Sequence, residues 1–195
     1  PITLDMEVKG TVDQLNCSHL EIVSEEQQFR LRGDVSLQDL SHPQDAYVYG
    51  TLSELSANTR GVGFLVRNLN PDYNGVPPVL ERLGNISFRG EISGYFTDLV
   101  TYGQLRTSLG DVKTDLKLSA DKSKGLFAYS GAVKTTDFKL GELLANEQLG
   151  EITFNLDVHG RHITNQRPTV ELKGLIASID YSRYRYENIT LDGEY

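Results

Sequence analysis

The sequence holds few of the residues that cross-link or rigidify small domains. Tryptophan is absent, cysteine and methionine occur once each, and proline occurs six times in 195 residues. The single cysteine, Cys17, cannot form an internal disulfide. The longest apolar runs, such as Gly63-Phe64-Leu65-Val66, fall far short of the ~20 residues that a membrane-crossing helix needs. An internal disulfide and a transmembrane helix within these residues are thereby excluded.

Basic residues and hydrophobic residues are also few. The chain carries 19 Lys and Arg against 27 Asp and Glu, a formal charge of −8. Because phosphate binding needs a basic face, nucleic acid is not an expected partner. Hydrophobic residues make up 38% of the chain, against the ~45–50% usual in globular domains, a figure that includes glycine. A thin or one-sided core is therefore more consistent with the composition than a thick one.

What dominates instead is alternation of apolar and polar residues. The clearest stretch is Ile152, Phe154, Leu156 and Val158. Alternation places one dry and one wet face on each strand and is typical of antiparallel meanders. The pattern predicts a mainly β protein, an antiparallel meander that forms either a half-open groove or an elongated sandwich.

If the parity holds, one set of apolar side chains shares a single dry face. This predicted lining consists of Ile86, Phe88, Ile92, Leu99, Leu105, Leu116, Leu118, Ile152, Phe154, Leu156 and Val158.

Three stretches depart from the alternation and predict two or three short helices. Residues 58–69 have helical spacing, residues 77–84 begin with proline and end with glycine, and residues 138–149 place leucines on one side. Helices this short are marginal alone and are expected to pack on the sheet.

A short internal repeat links two of these helices to the strands that follow. Residues 83–88 read LGNISF and residues 149–154 read LGEITF, an offset of 66. A fixed offset points to a supersecondary unit repeated along one axis. The alternative is that junctions between a helix and a strand simply favour Leu-Gly before β-branched residues.

The chain offers no constellation for chemistry. His159 and His162 are the only neighbouring histidines, and no further ligand stands near them, whereas a zinc site needs three or four. Gly61 and Gly63 lack the third glycine and the lysine of a nucleotide loop. We therefore expect no enzyme activity and no catalytic, cofactor or metal site.

Several degenerate strand-and-turn motifs resemble a known family. Residues 83–94 read LGNISFRGEISG, residues 98–110 read DLVTYGQLRTSLG, and residues 184–193 read YRYENITLDG. Together they resemble the periplasmic β-repeat region of the TamB/AsmA-like family, the translocation and assembly module and bridge-like lipid transfer proteins. The match is closest from about residue 76 onward and weaker over residues 1–70.

The resemblance implies a fold and a setting. The fold would be an open β-groove, β-taco-like and apolar inside, within a longer protein anchored in the inner membrane of a Gram-negative envelope and lying in the periplasm. The first and last residues, Pro1 and Tyr195, likewise suggest an excerpt. We expect an N-terminal β segment with a short helix at 1–70 and a repeated helix-then-meander groove segment at 71–195.

The resemblance also implies a function. The groove would conduct or hold lipid between the inner and outer membranes, supporting outer-membrane biogenesis and protein secretion. The implied partners are phospholipid acyl chains, flanking repeats of the same chain and, in some members, an outer-membrane β-barrel protein. The alternative is an extracytoplasmic β-sandwich that serves as a protein-interaction or scaffold module and has a closed core.

Overall fold

A computed structural model describes residues 2–24, 26, 28–42, 45–63, 78–121, 125–163 and 169–194. Most of these residues lie in strands, joined by turns and three short helical segments. The strands are β1 Ile2–Thr11, β2 Gln14–Ser24, β3 Phe29–Gln38, β4 Tyr47–Ala57, β5 Ile86–Tyr95, β6 Asp98–Thr107, β7 Gly110–Asp121, β8 Leu126–Lys139, β9 Leu149–Ile163, β10 Thr169–Tyr181 and β11 Tyr184–Glu194. The helical segments are α1 at 59–63, α2 Pro78–Arg82 and α3 Leu140–Leu144.

All eleven strands form one antiparallel sheet in chain order. Each strand pairs with its sequence neighbour, so β1 and β11 are the two edges and the sheet does not close into a barrel. The prediction of a mainly β, open antiparallel meander with short helices is confirmed.

The connections differ between the two ends of the sheet. At one end, the helix end, α1 and α2 lie between β4 and β5, and α3 lies between β8 and β9. At the other, the hairpin end, short turns such as those at residues 12–13 and 96–97 join the strands. Short turns keep consecutive strands antiparallel neighbours, which accounts for the topology.

The predicted helices are only partly right. The first is helical over 59–63, and its predicted remainder lies outside the described residues. The second matches α2, which begins at Pro78 and is followed by Gly84 with φ +68°. The third is shorter than predicted, because Phe138 belongs to β8 and points its 6% exposed side chain into the apolar face.

The register supports the internal repeat. Phe88 and Phe154, and Gly94 and Gly160, are each 66 residues apart, and each pair lies in one line of directly paired residues running across β5 to β9. Four strands and a helical connection therefore return the chain to the same height in the sheet. The proposed domain boundary near residue 70 lies outside the described residues and stays a prediction.

Six of the eleven buried hydrophobic side chains that the structure describes form two clusters at the helix end. One contains Phe29, Ala57 and Val62, and the other Leu109, Phe138 and Ile152. No large side chain among the described residues is fully buried. A single sheet with short helices at one end accounts for such a thin core, because the described residues form no second layer over most of its apolar face.

Candidate functional site: the open apolar face

The apolar face is organised in rows of directly paired residues that cross the strands. Paired residues in adjacent strands project to the same face, so the register identifies each row. We number the rows from the hairpin end to the helix end. Row 4 is unbroken from β1 to β11 and comprises Leu4, Ile22, Leu31, Leu55, Phe88, Leu105, Val112, Thr135, Phe154, Ile176 and Ile189.

The one polar member of row 4 is satisfied internally. Thr135 is 3% exposed, and its hydroxyl donates a hydrogen bond of 2.6 Å to the carbonyl oxygen of Asp111. Row 4 is therefore a continuous apolar strip across all eleven strands.

Rows 1 to 3 contain no charged residue. Their polar side chains are Thr101 in row 2, Thr114 in row 3 and Tyr129 in row 1, and the other members are aliphatic residues, Cys17 and glycines. Row 1 runs from Gly10 through Leu118 to Val170, row 2 from Val8 through Leu116 to Gly193, and row 3 from Leu20 through Leu156 to Leu191.

The described helical residues pack at the helix end of this face. Val62 of α1 and Leu80 of α2 pack on one buried cluster, and Leu140 and Leu143 of α3, with Leu83, pack on the other. The strand residues in both clusters belong to row 4 or to row 5, the last row, which includes Phe29, Ala57, Ile86, Ile152 and Ile179.

Hydrogen bonds fix the helices to this end. Arg82 Nη1 donates to the carbonyl of Leu143 at 3.1 Å, which joins α2 to α3. The backbone N–H of Ser108 donates to Leu83 O at 3.0 Å, and that of Lys139 to Leu109 O at 2.9 Å. Rows 1 to 3 belong to neither cluster.

Some residues of rows 1 to 3 are nevertheless shielded from water. Val48 is 4% exposed, Leu52 6% and Leu156 6%. In the described part of the chain, neither a helix nor a second sheet packs over them in a buried cluster.

The structure places all eleven predicted lining residues on this one face. Leu99 and Leu118 lie in row 1, Ile92, Leu116 and Val158 in row 2, Leu156 in row 3, Phe88, Leu105 and Phe154 in row 4, and Ile86 and Ile152 in row 5. That they contact lipid stays a prediction.

The sequence prediction missed the contribution of β1 to β4. Val8, Cys17, Leu31 and Leu55 continue the same rows toward the N-terminus. Register irregularities between Cys17 and Leu20 and between Leu52 and Leu55 interrupt the period of two there. A β-bulge inserts a residue and shifts the parity, so alternation counted along β2 and β4 does not follow one face.

Glycines on the apolar face make room for two aromatic rings. A Cβ on Gly160 would overlap the ring of Tyr129, its partner across β8 and β9. A Cβ on Gly103 would overlap the Phe88 ring, which lies diagonally across β5 and β6. Each ring therefore extends across the sheet over a glycine of the neighbouring strand, into space that a side chain at that position would fill.

The opposite face of the sheet is polar and hydrated. Cross-strand ion pairs lie along it, including Lys117 with Asp98 at 3.0 Å and Lys173 with Asp192 at 3.2 Å. Exposed ion pairs contribute little to stability, and their role here is to keep this face in water. At the hairpin end, a 2.8 Å hydrogen bond to Asp39 raises the pKa of His42 above 6.5.

The described residues contain no group of three or more His, Cys, Asp or Glu side chains that could hold a metal ion. Among the helices that the structure describes, none has the length and apolarity to cross a membrane. No family model, curated protein or solved structure matches the chain.

Proposed function

We propose that this chain is a non-enzymatic segment of a TamB/AsmA-like envelope protein whose apolar face conducts or holds lipid between the inner and outer membranes. The observation that supports this is the apolar face itself. Three rows cross the sheet without a charged group, and none of the described helical residues packs against them in a buried cluster. Acyl chains are the occupant that such a surface accepts best, because each buried CH₂ contributes ~0.8 kcal/mol and needs no hydrogen-bond partner.

A peptide is a poorer occupant of the same rows. Its backbone N–H and C=O groups need partners when buried, whereas rows 1 to 3 offer only the hydroxyls of Thr101, Thr114 and Tyr129. The closed-core scaffold alternative needs a second layer over the apolar face. The described strands form one sheet, and no large side chain among them is fully buried, which argues against that alternative.

The wider setting of the proposal is a periplasmic segment of a protein anchored in the inner membrane of a Gram-negative envelope, acting in outer-membrane biogenesis and protein secretion. Its partners would be phospholipid acyl chains, flanking repeats of the same chain and an outer-membrane β-barrel protein. The edge strands support the second of these. Ile2, Leu4, Met6 and Val8 of β1 are 41–54% exposed, and an unpaired apolar edge is a template for a further strand.

The test compares one charge placed on each face of the sheet. Leu116→Asp puts a carboxylate in row 2, opposite Gly131, and Val100→Asp puts the same charge on the polar face, opposite Lys117. Leu116 suits this better than Leu156, whose 6% exposure would leave the carboxylate without water. The purified chains are incubated with vesicles of 1-palmitoyl-2-oleoyl phosphatidylethanolamine, and bound lipid is measured by native mass spectrometry.

We expect the original chain and Val100→Asp to bind lipid equally. Leu116→Asp should bind it more than about ten-fold more weakly, because an acyl chain must then lie beside an unpaired carboxylate. The melting temperatures of the two variants should be similar. Absence of lipid on the original chain, or equal binding by both variants, would contradict the proposal.

A further inference from the structure

The two ends of the apolar face differ in what they offer an amphiphile. At the helix end, Leu109, Phe138 and Ile152 are 5–6% exposed, and leucines of α3 pack over them. A polar headgroup brought there would lose its water without gaining partners, which costs several kcal/mol for a charged group.

Around β8 and the turn between β5 and β6, the described residues of the hairpin end are at least partly exposed and carry polar groups. Tyr129 lies in row 1 and brings the outermost hydroxyl of rows 1 to 3. Beyond it, Phe127 is 45% exposed and pairs with His162, which is also exposed. Phe96, in the turn between β5 and β6, is 48% exposed. Tyrosine is common where apolar and hydrated regions meet, because its ring is apolar and its hydroxyl forms hydrogen bonds. Tyr129 therefore suits the boundary between an acyl chain and a hydrated headgroup.

The distance between the two ends is slightly more than one acyl chain. Along β7, Leu118 of row 1 and Val112 of row 4 are six residues apart, which is roughly 20 Å at the rise of a strand. A single tail spans about half of the ~30 Å hydrocarbon core of a bilayer, or roughly 15 Å. A tail that begins in row 1 therefore passes row 3 and ends just short of row 4, where the helices begin.

From this asymmetry, and resting on the proposed function, we infer that bound amphiphiles are oriented. The polar group lies at the hairpin end beside Tyr129, and the acyl termini point toward rows 4 and 5 beneath α2 and α3. The helices thus close one side of the groove, and headgroups travel along the other. This identifies the ligand class as an amphiphile with one polar end and at least one tail of about leaflet length.

Two photoreactive phosphatidylethanolamines test the orientation on the purified 195-residue chain. One carries a diazirine on the headgroup amine, and the other carries it at the acyl terminus. After irradiation, labelled peptides are identified by mass spectrometry. The headgroup probe should label the hairpin end around Phe96 and Phe127, and the acyl-terminus probe should label the helix end around Leu83 and Leu143.

The outcomes separate this inference from the proposed function. If neither probe labels the chain, or if Leu116→Asp is labelled as strongly as the original, the proposed function fails and the orientation with it. If labelling is lost in Leu116→Asp but each probe marks both ends equally, only the orientation fails. The reversed pattern, with headgroups at the helix end, would also overturn it.

A second measurement tests the position of the polar group. Tyr129→Phe keeps the ring over Gly160 and removes the hydroxyl, and Tyr102→Phe removes the same hydroxyl from the polar face, where Tyr102 is 65% exposed. Affinity for the phosphatidylethanolamine should fall about three- to ten-fold in Tyr129→Phe, the effect of one hydrogen bond, and stay unchanged in Tyr102→Phe. Equal affinities of the two variants would contradict the assignment to Tyr129.

Discussion

The ring of Tyr129 occupies the space that a Cβ would take on Gly160, its direct partner across β8 and β9. The pair lies in row 1, and the glycine recurs at Gly94, 66 residues earlier in the same row. The aromatic ring of Tyr129 packs over Gly160. The glycine provides the space that the ring occupies, and the ring covers the backbone that a glycine leaves exposed.

Gly160→Ala should therefore destabilise the protein. The added methyl must displace the Tyr129 ring, which costs ~1–3 kcal/mol in a well-packed site. In a Tyr129→Ala background the same substitution should cost much less, so a double-mutant cycle should give a clear coupling energy. The measurement is urea unfolding of the four chains. The control is Gly50→Ala, where the nearest atoms stand 3.3–3.4 Å away, and additive effects of the pair would refute the contact.

Truncation should separate the covered rows from the open ones. Phe154 of row 4 packs against the cluster of Leu109, Phe138 and Ile152 beneath α3, so Phe154→Ala should cost about 3 kcal/mol, at the lower end for a buried phenylalanine because Phe154 is only partly buried. Leu118 of row 1 is also partly buried but lies in neither cluster, and Leu118→Ala should cost less than ~2 kcal/mol, below the usual range for a buried leucine. Chemical denaturation measures both, and equal losses would mean that row 1 is covered as well.

The buried threonine of row 4 should contribute through its hydroxyl. Thr135→Val preserves the shape but removes the 2.6 Å hydrogen bond to Asp111 O, leaving a carbonyl short of a donor at a cost of ~1 kcal/mol. The same exchange at Thr101, in the uncovered row 2, should be close to neutral. Thermal unfolding compares the two, and a Thr135→Val chain as stable as the original would show that the bond adds nothing.

The raised pKa of His42 should make a small, defined contribution to pH dependence. The hydrogen bond to Asp39 and the charge of its carboxylate favour the protonated ring. Because the folded pKa lies above the unfolded value, this stabilisation is complete below pH 6.5 and is lost as the pH rises through the folded pKa. An NMR titration of the His42 ring should give a lower pKa in Asp39→Asn, and an identical pKa in both chains would exclude the interaction.

The alternation of the sequence determined the sheet and much of its apolar face. Ile152, Phe154, Leu156 and Val158 alternate without interruption, and the register places them on one face. This works because β-strand geometry is local: successive side chains point to opposite faces whatever the strand pairs with. The helix that starts at Pro78 was equally readable, because its proline and glycine act through their own backbone angles.

The sequence did not predict features that depend on contacts between distant residues. Phe138 fits a helical spacing in the sequence, yet it lies near the end of strand β8. Its ring packs with Leu109 and Ile152 in a buried cluster, and this tertiary contact outweighs the local helical preference. Leu20 and Leu55 share a face with Cys17 and Leu52 only through register shifts that pairing with the neighbouring strands imposes. Nothing in their own positions along the chain marks those bulges.

The openness of the apolar face was decided by tertiary structure alone. Leu118 and Phe154 have the same parity signal, yet only Phe154 lies under a helix. Alternation predicts that a side chain lies on the apolar face. It does not predict which residues pack over that side chain, because those residues are distant in the sequence. In the described part of the chain, α1, α2 and α3 pack with residues of rows 4 and 5 and not with those of rows 1 to 3.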